Sequence, residues 1–323
     1  MGVFHCPLGA PFKGGNNCID CGLCTASSKE EYKAASEKVR AAIRSTAGDR
    51  LEYYKISKIA VCGKGGCGKS TFAAMLARSL EKLGYEVLIL DTDESNAGLY
   101  KKLGMPGTGK PLLRILGSGF AEYEEVDTEW LKPDKIAISD IPAEYLQTQG
   151  RIHLLVTGKI LDPFQGCACG MSDLTRDLLL KLNLKDGQIV IADIEAGVES
   201  FGRGVERGAD TVIDIVEPSF DSIELASRIK YMSEGVGIRR VRAVLNKMPS
   251  KDIEKAVLKQ LHADEMRHLG CIGVEDSVVM AGLMGQPVAD EAFLEQIKRM
   301  TMLMLDEAEM PYLKLKRYKR DEL

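Results

Sequence analysis

At 323 residues, with 45% apolar residues and a single tryptophan, the chain is long enough for one large α/β domain and a small extra module. A net charge of −4 leaves no electrostatic footprint for nucleic acid, and no apolar run approaches the roughly 20 residues of a membrane helix, so neither partner is expected. The first residues lack the basic region and apolar core of a secretory signal, which points to the cytoplasm; the terminal Arg320-Asp321-Glu322-Leu323 then has no address to give. Six of the nine cysteines fall into two tight groups, a spacing that in an intracellular chain means metal ligands more often than disulfides.

The first group lies in a segment of its own composition, residues 1–50, rich in Gly, Pro and Asn and followed by a polar helical stretch over 29–45. Cys18, Cys21 and Cys24 form C-x₂-C-x₂-C, which wraps three thiolates round one face of a cubane, and Cys6, in a Cys-Pro pair, is the candidate fourth ligand. The segment resembles half a bacterial ferredoxin, with the Cys-Pro pair ahead of the triplet instead of after it. One [4Fe–4S] cluster is expected; a zinc knuckle on the same four ligands is the structural alternative, although zinc usually pairs two separated C-x₂-C units.

Residues 56–323 read as a second domain. Its organising stretch is Gly63-Lys64-Gly65-Gly66-Cys67-Gly68-Lys69-Ser70, between the apolar run 59–62 and a helix that opens at Lys69 and Ser70 and continues through Thr71. Strand, glycine loop, Lys-Ser and helix are the parts of a phosphate-binding loop: backbone N–H groups and the helix N-terminus face the phosphates, the lysine reaches the β- and γ-phosphates, and the hydroxyl ligates Mg²⁺. Gly84 fits the left-handed residue past the end of that helix. Further strands are predicted at 87–90, 152–156, 189–192, 212–216, 241–245 and 271–274. Nearly continuous apolar strands separated by helical stretches predict a parallel sheet covered by helices on both faces, with the ligand at the carboxyl ends of the strands. The stretch from Thr108 to Leu146 reads as irregular.

Acidic groups end two of these strands. Asp91 and Asp93 follow the second, and Asp193 ends Ile191-Ala192-Asp193, placed to hold Mg²⁺ through a water. Gly197, in Ile194-Glu195-Ala196-Gly197, can turn its N–H toward a γ-phosphate because glycine accepts unusual backbone angles. Strand 241–245 is followed by Asn246 and Lys247; Pro249 replaces the aspartate of a guanine reader, which favours ATP over GTP. The second cysteine group, Gly166-Cys167-Ala168-Cys169-Gly170, opens an amphipathic helix. Two thiolates this close rarely complete a tetrahedral site alone, but the same pair from two chains on a two-fold axis supplies four sulfurs. Cys62, Cys67 and Cys271 read as small apolar fillers.

The second lysine of the loop, Lys64, gives K-G-G-x-G-K-S, which resembles the deviant Walker A class that includes the nitrogenase iron protein, the cell-division ATPase MinD and the arsenite-pump ATPase. That resemblance implies an ATP-hydrolysing homodimer in which Lys64 contacts nucleotide in the partner subunit, Asp93 polarises the attacking water and Asn246 hydrogen-bonds adenine. Asp193-Ile194-Glu195-Ala196-Gly197-Val198-Glu199 with Gly202-Arg203-Gly204, Val216-Glu217-Pro218-Ser219-Phe220-Asp221-Ser222, and the Cys167-x-Cys169 pair resemble CooC-type nickel-insertion ATPases. The resemblance covers most of residues 58–300 and implies Ni²⁺ or Zn²⁺ held between subunits at Cys167 and Cys169, for delivery to a carbon monoxide dehydrogenase type of enzyme. The N-terminal cluster segment departs from that family's pattern. The alternative expectation is an ATP-gated electron donor in which Cys167 and Cys169 bridge a second [4Fe–4S] cluster, as in the nitrogenase iron protein. A nucleotide-sensing scaffold is the third and weakest.

Overall fold

The structure, a computed structural model, describes residues 56–93, 98–112, 129–158, 169–195, 208–238 and 240–309, the pairs 51–52 and 312–313, and helical positions 31, 34, 37 and 38. Cys6, Cys18, Cys21, Cys24, Cys167 and Gly197 lie outside the described residues, so the expected ferredoxin-like segment and half of the Cys-x-Cys pair have no structural account. The chain forms two compact units, residues 1–55 with 303–323, and residues 56–302. In the first, strand β1 (Leu51–Glu52) pairs antiparallel with β10 (Tyr312–Leu313).

The larger unit is built on an eight-stranded sheet. Its strands are β2 (Lys58–Gly63), β3 (Glu86–Asp91), β4 (Leu146–Gln149), β5 (Ile152–Val156), β6 (Gln188–Asp193), β7 (Thr211–Val216), β8 (Arg240–Met248) and β9 (Arg267–Gly273). They lie in the order β4-β5-β3-β6-β2-β7-β8-β9, every neighbouring pair parallel except β4 on β5 at one edge. The predicted strands are present, because runs such as Val87–Leu90 and Ile189–Ala192 are buried on both faces and need no alternation. Helices follow the strands: α1 (Lys69–Lys82), α2 (Leu99–Lys102), α3 (Cys169–Lys181), α4 (Phe220–Gly235), α5 (Lys251–Ala263), α6 (Asp276–Met284) and α7 (Glu291–Glu309). α1 opens at Lys69 as expected, and Gly84, at φ 94°, follows its last turn.

Strand pleating divides the core. Ala60, Cys62, Leu88, Leu90, Leu155, Val190 and Ala192 face one side, where they pack with Leu178 and Leu182 of the α3 region, Ala226 and Ile229 of α4, and Leu258 and Leu261 of α5. Alternate residues face the side where α1 lies against β3 and β6. Two segments differ from expectation. Residues 129–146 hold three 3-10 turns, Glu129–Leu131, Ile138–Asp140 and Ala143–Tyr145, that bury Ile138, Ile141 and Tyr145 and lead into β4. β4 itself, Leu-Gln-Thr-Gln, has no apolar pattern to betray it; it is an edge strand placed by its ladder to β5. β9 starts at Arg267 and ends before Val274, because it too is an edge strand, and Gly270 is hidden beneath Met300.

Candidate functional site

Parallel strands bring their carboxyl ends to one edge, and every described residue of the candidate nucleotide site lies there. The loop Gly63–Ser70 leaves β2, the strand flanked by β6 and β7. Gly63, Gly66 and Gly68 take φ of 138°, 78° and 104°. The φ of Gly68 is one that L side chains rarely adopt, and a Cβ there would also displace the Asn246 Nδ2 at 2.5 Å, while one on Gly63 would meet the Ile215 carbonyl at 2.6 Å. Lys69 is buried and its Nζ donates to the Lys64 carbonyl at 3.2 Å, which folds the ammonium back over the loop.

Asp91 of β3 and Asp193 of β6 are register partners at the same level, both buried. Just beyond, Thr92 donates to the Asp193 carbonyl from its N–H at 3.2 Å and from its hydroxyl at 2.8 Å. Thr157 repeats this on the Asp91 carbonyl, with both bonds at 3.0 Å. The repeat fixes the edge up to Asp93, which is nearly buried. Neither carboxylate oxygen of Asp193 has a hydrogen-bond partner. Burial pushes its pKa up to about 7; the nearby Ser70 hydroxyl opposes that rise, Asp91 adds to it, and the Lys69 ammonium opposes it. An orphaned buried carboxylate beside Ser70 fits a divalent cation, which would supply the missing partner and favour the ionised form.

A second buried acid escaped the sequence reading. Asp214 of β7 lies beneath the loop with Oδ2 unpaired, and burial raises its pKa to about 8 against the pull of Lys69. One charged residue inside Thr-Val-Ile-Asp-Ile-Val was the available signal. Cys62 and Cys67 are buried as expected of fillers, and burial takes the Cys67 thiol up to about 12. Cys271 is only half-buried, and desolvation together with a hydrogen bond to Glu254 carries it to about 12 as well.

Lys64 reaches away from the loop. Its Nζ lies 3.5 Å from Glu217 Oε1, just after β7, and 3.5 Å from Asp221 Oδ2, in the first turn of α4. Asn246 reaches the loop by donating from Nδ2 to the Cys67 carbonyl at 2.8 Å, which leaves its Oδ1 free to accept. Cys169 opens α3 at this same edge: α3 follows the carboxyl end of β5, and its other end lies at the amino edge, where Lys58 Nζ donates to the Leu179 carbonyl. Among the described residues, no three His, Cys, Asp or Glu side chains group as a metal site, and no helix is long and apolar enough to cross a membrane.

A parallel sheet with a glycine loop, Lys69-Ser70 and facing Asp193 defines a P-loop nucleotide hydrolase, an ATPase. The family model of the CobQ/CobB/MinD/ParA nucleotide binding domain matches residues 58–288, and the chain belongs to that family. An uncharacterised ATP-binding protein of Methanocaldococcus jannaschii is 39% identical over 248 residues, 75% of this chain and 96% of the relative. The carbon monoxide dehydrogenase accessory protein CooC of Rhodospirillum rubrum is 32% identical over 235 residues, 71% of this chain and 88% of that protein. Among solved structures, MinD of Aquifex aeolicus superposes with a TM-score of 0.56 at 22% identity, covering 81% of this chain and all of that one. MinD of Pyrococcus horikoshii with Mg-ADP also gives 0.56, at 16% identity, covering 79% and 95%. These likenesses support the fold.

Proposed function

We propose that this ATPase is a homodimeric maturation factor that holds a metal ion between subunits through Cys167 and Cys169 and delivers it, as Ni²⁺, to an enzyme of the carbon monoxide dehydrogenase type. The observation that carries the reading is that Cys169 opens α3 on the edge that bears the phosphate loop, in a chain 32% identical to CooC. A change of nucleotide state at that edge then acts directly on the segment that holds the thiols. Paired thiolates suit a soft-to-borderline metal carried as cargo.

In this reading the amides of Gly65–Ser70 and the N-terminus of α1 receive the phosphates, and Lys69 leaves the Lys64 carbonyl for the β- and γ-phosphates. Ser70 and Asp193 would hold Mg²⁺, which supplies charge neutralisation at the β–γ bridge. Asp93, at the pinned end of β3, orients the attacking water, and Gly197 offers its N–H to the γ-phosphate. Asn246 Oδ1 accepts from the adenine amine. Lys64 exchanges Glu217 and Asp221 for phosphate on the partner subunit. The N-terminal thiols Cys6, Cys18, Cys21 and Cys24 hold a [4Fe–4S] cluster.

The test is metal content per dimer of anaerobically purified protein, before and after Cys167→Ser. Loss of stoichiometric Ni²⁺ binding with iron unchanged is expected. Loss of four irons per dimer would overturn nickel delivery in favour of a bridging cluster and electron transfer.

A further inference from the structure

One lysine at the nucleotide edge has no role in the account above. Between Leu245 and Met248, β8 spends one residue more than β9 does between its partners Cys271 and Gly273, a β-bulge that takes Asn246 and Lys247 out of the regular ladder. Lys247 stands at φ 58°; Glu265 is the other non-glycine residue at positive φ among the described residues. A long side chain in that region is strained, and such residues persist where the surroundings hold them. What the bulge achieves is aim: Lys247 Nζ donates to the Gly66 carbonyl at 2.6 Å, one residue before the Cys67 carbonyl that Asn246 holds.

Two successive loop carbonyls are thus drawn outward by β8. A peptide unit whose oxygen is held on one side presents the N–H of the next residue to the other. The Cys67 N–H donates to the Lys64 carbonyl at 3.2 Å, so holding the Gly66 oxygen fixes the turn that closes the loop, and holding the Cys67 oxygen leaves the Gly68 amide on the phosphate side. The ammonium also lies 3.7 Å from Glu217 Oε2, while the other oxygen of that carboxylate faces Lys64 at 3.5 Å. One half-buried carboxylate thus stands between both lysines.

We infer that Lys247 is a positioning residue for the phosphate-binding loop: it fixes the Gly66 carbonyl so that the loop amides are preorganised for the β-phosphate, and Glu217 keeps its ammonium on that carbonyl. This goes beyond metal delivery and needs only the nucleotide site that the fold defines. Because Lys247 acts at the phosphate end, its effect scales with the phosphates bound. AMP lacks the β-phosphate that these amides receive and is far less sensitive to it.

The test uses the full chain and Lys247→Gly, which keeps the left-handed backbone and removes the ammonium, with Lys247→Asn as a second variant that tolerates the same φ, and Lys247→Arg to restore the charge. Affinities for AMP, ADP and ATP are read by competition against a fluorescent ADP, alongside KM and kcat for ATP. A charged hydrogen bond of this kind corresponds to about a tenfold loss. ADP and ATP should weaken about tenfold in the Gly and Asn variants, KM should rise with them, AMP should change less than about twofold, and Arg should recover most of the loss. Equal losses for all three nucleotides would assign the effect to disturbed base reading through Asn246 and overturn the inference. So would unchanged ADP affinity in a folded Gly or Asn variant, which would leave Lys247 a surface lysine in a strained turn.

Discussion

Single residues at this edge carry opposite electrostatic duties. Lys69 is the ammonium the phosphates must meet, and Lys69→Ala should lower ATP turnover by at least about a hundredfold, the scale of losing one preorganised electrostatic partner; phosphate release measures it. Asp214 is a carboxyl that burial keeps mostly protonated at neutral pH, with a pKa near 8 in place of 3.8. A carboxyl whose folded pKa is raised binds its proton more tightly folded than unfolded, so it lowers stability progressively as pH rises from about 4 to about 8. Asp214→Asn should remove that decline: against the parent, the variant gains stability between pH 5 and pH 8, on the order of a few kcal/mol, read from urea midpoints at several pH values. The residues of the loop were legible because their chemistry is tied to fixed spacing. Lys247 was not, because a bulge and a positive φ leave no mark in Leu-Asn-Lys-Met, and neither was the resting place of Lys64 on Glu217 and Asp221.

At the scale of elements, legibility followed burial. β2, β3, β6 and β7 are central and apolar on both faces, and their expected limits fall within a residue of the observed ones. β4 and the first half of β9 are edge segments whose polar residues meet water, so composition could not separate them from loop. Central strands also need their starts aligned. Asp210 does this for β2 and β7, its Oδ2 accepting from Ser57 N–H at 2.7 Å, Ser57 Oγ at 2.9 Å and Lys58 N–H at 2.9 Å. Asp210→Ala strands these donors in a partly buried place and should cost about 1–3 kcal/mol, seen as a lower urea midpoint at unchanged slope.

For the whole molecule, the sheet gathers on one edge every described group that nucleotide would touch, and that edge also bears the entrance to α3. The order of strands was not legible, since crossover connections leave no trace in apolar runs; that the site would lie at their carboxyl ends was, because ligands of open parallel sheets bind there as a rule. Lys64 at this edge is tethered by carboxylates of its own chain, which partner-bound phosphate would have to outcompete in the proposed dimer. Lys64→Ala should therefore impair ATP-dependent dimerisation more than ATP binding: light scattering should show monomer at ATP concentrations that still saturate the site. A variant that dimerises normally would leave the second lysine of the loop without its function.

The doubled threonine bonds at this edge set where movement can begin. Thr92 grips β6 and Thr157 grips β3, each with two hydrogen bonds to one carbonyl. Any change that answers to the γ-phosphate must then leave Thr92 and Thr157 in place on their neighbouring strands. In deuterium exchange, the amides of Thr92 and Thr157 should stay protected in every nucleotide state, which marks them as the fixed frame of the site.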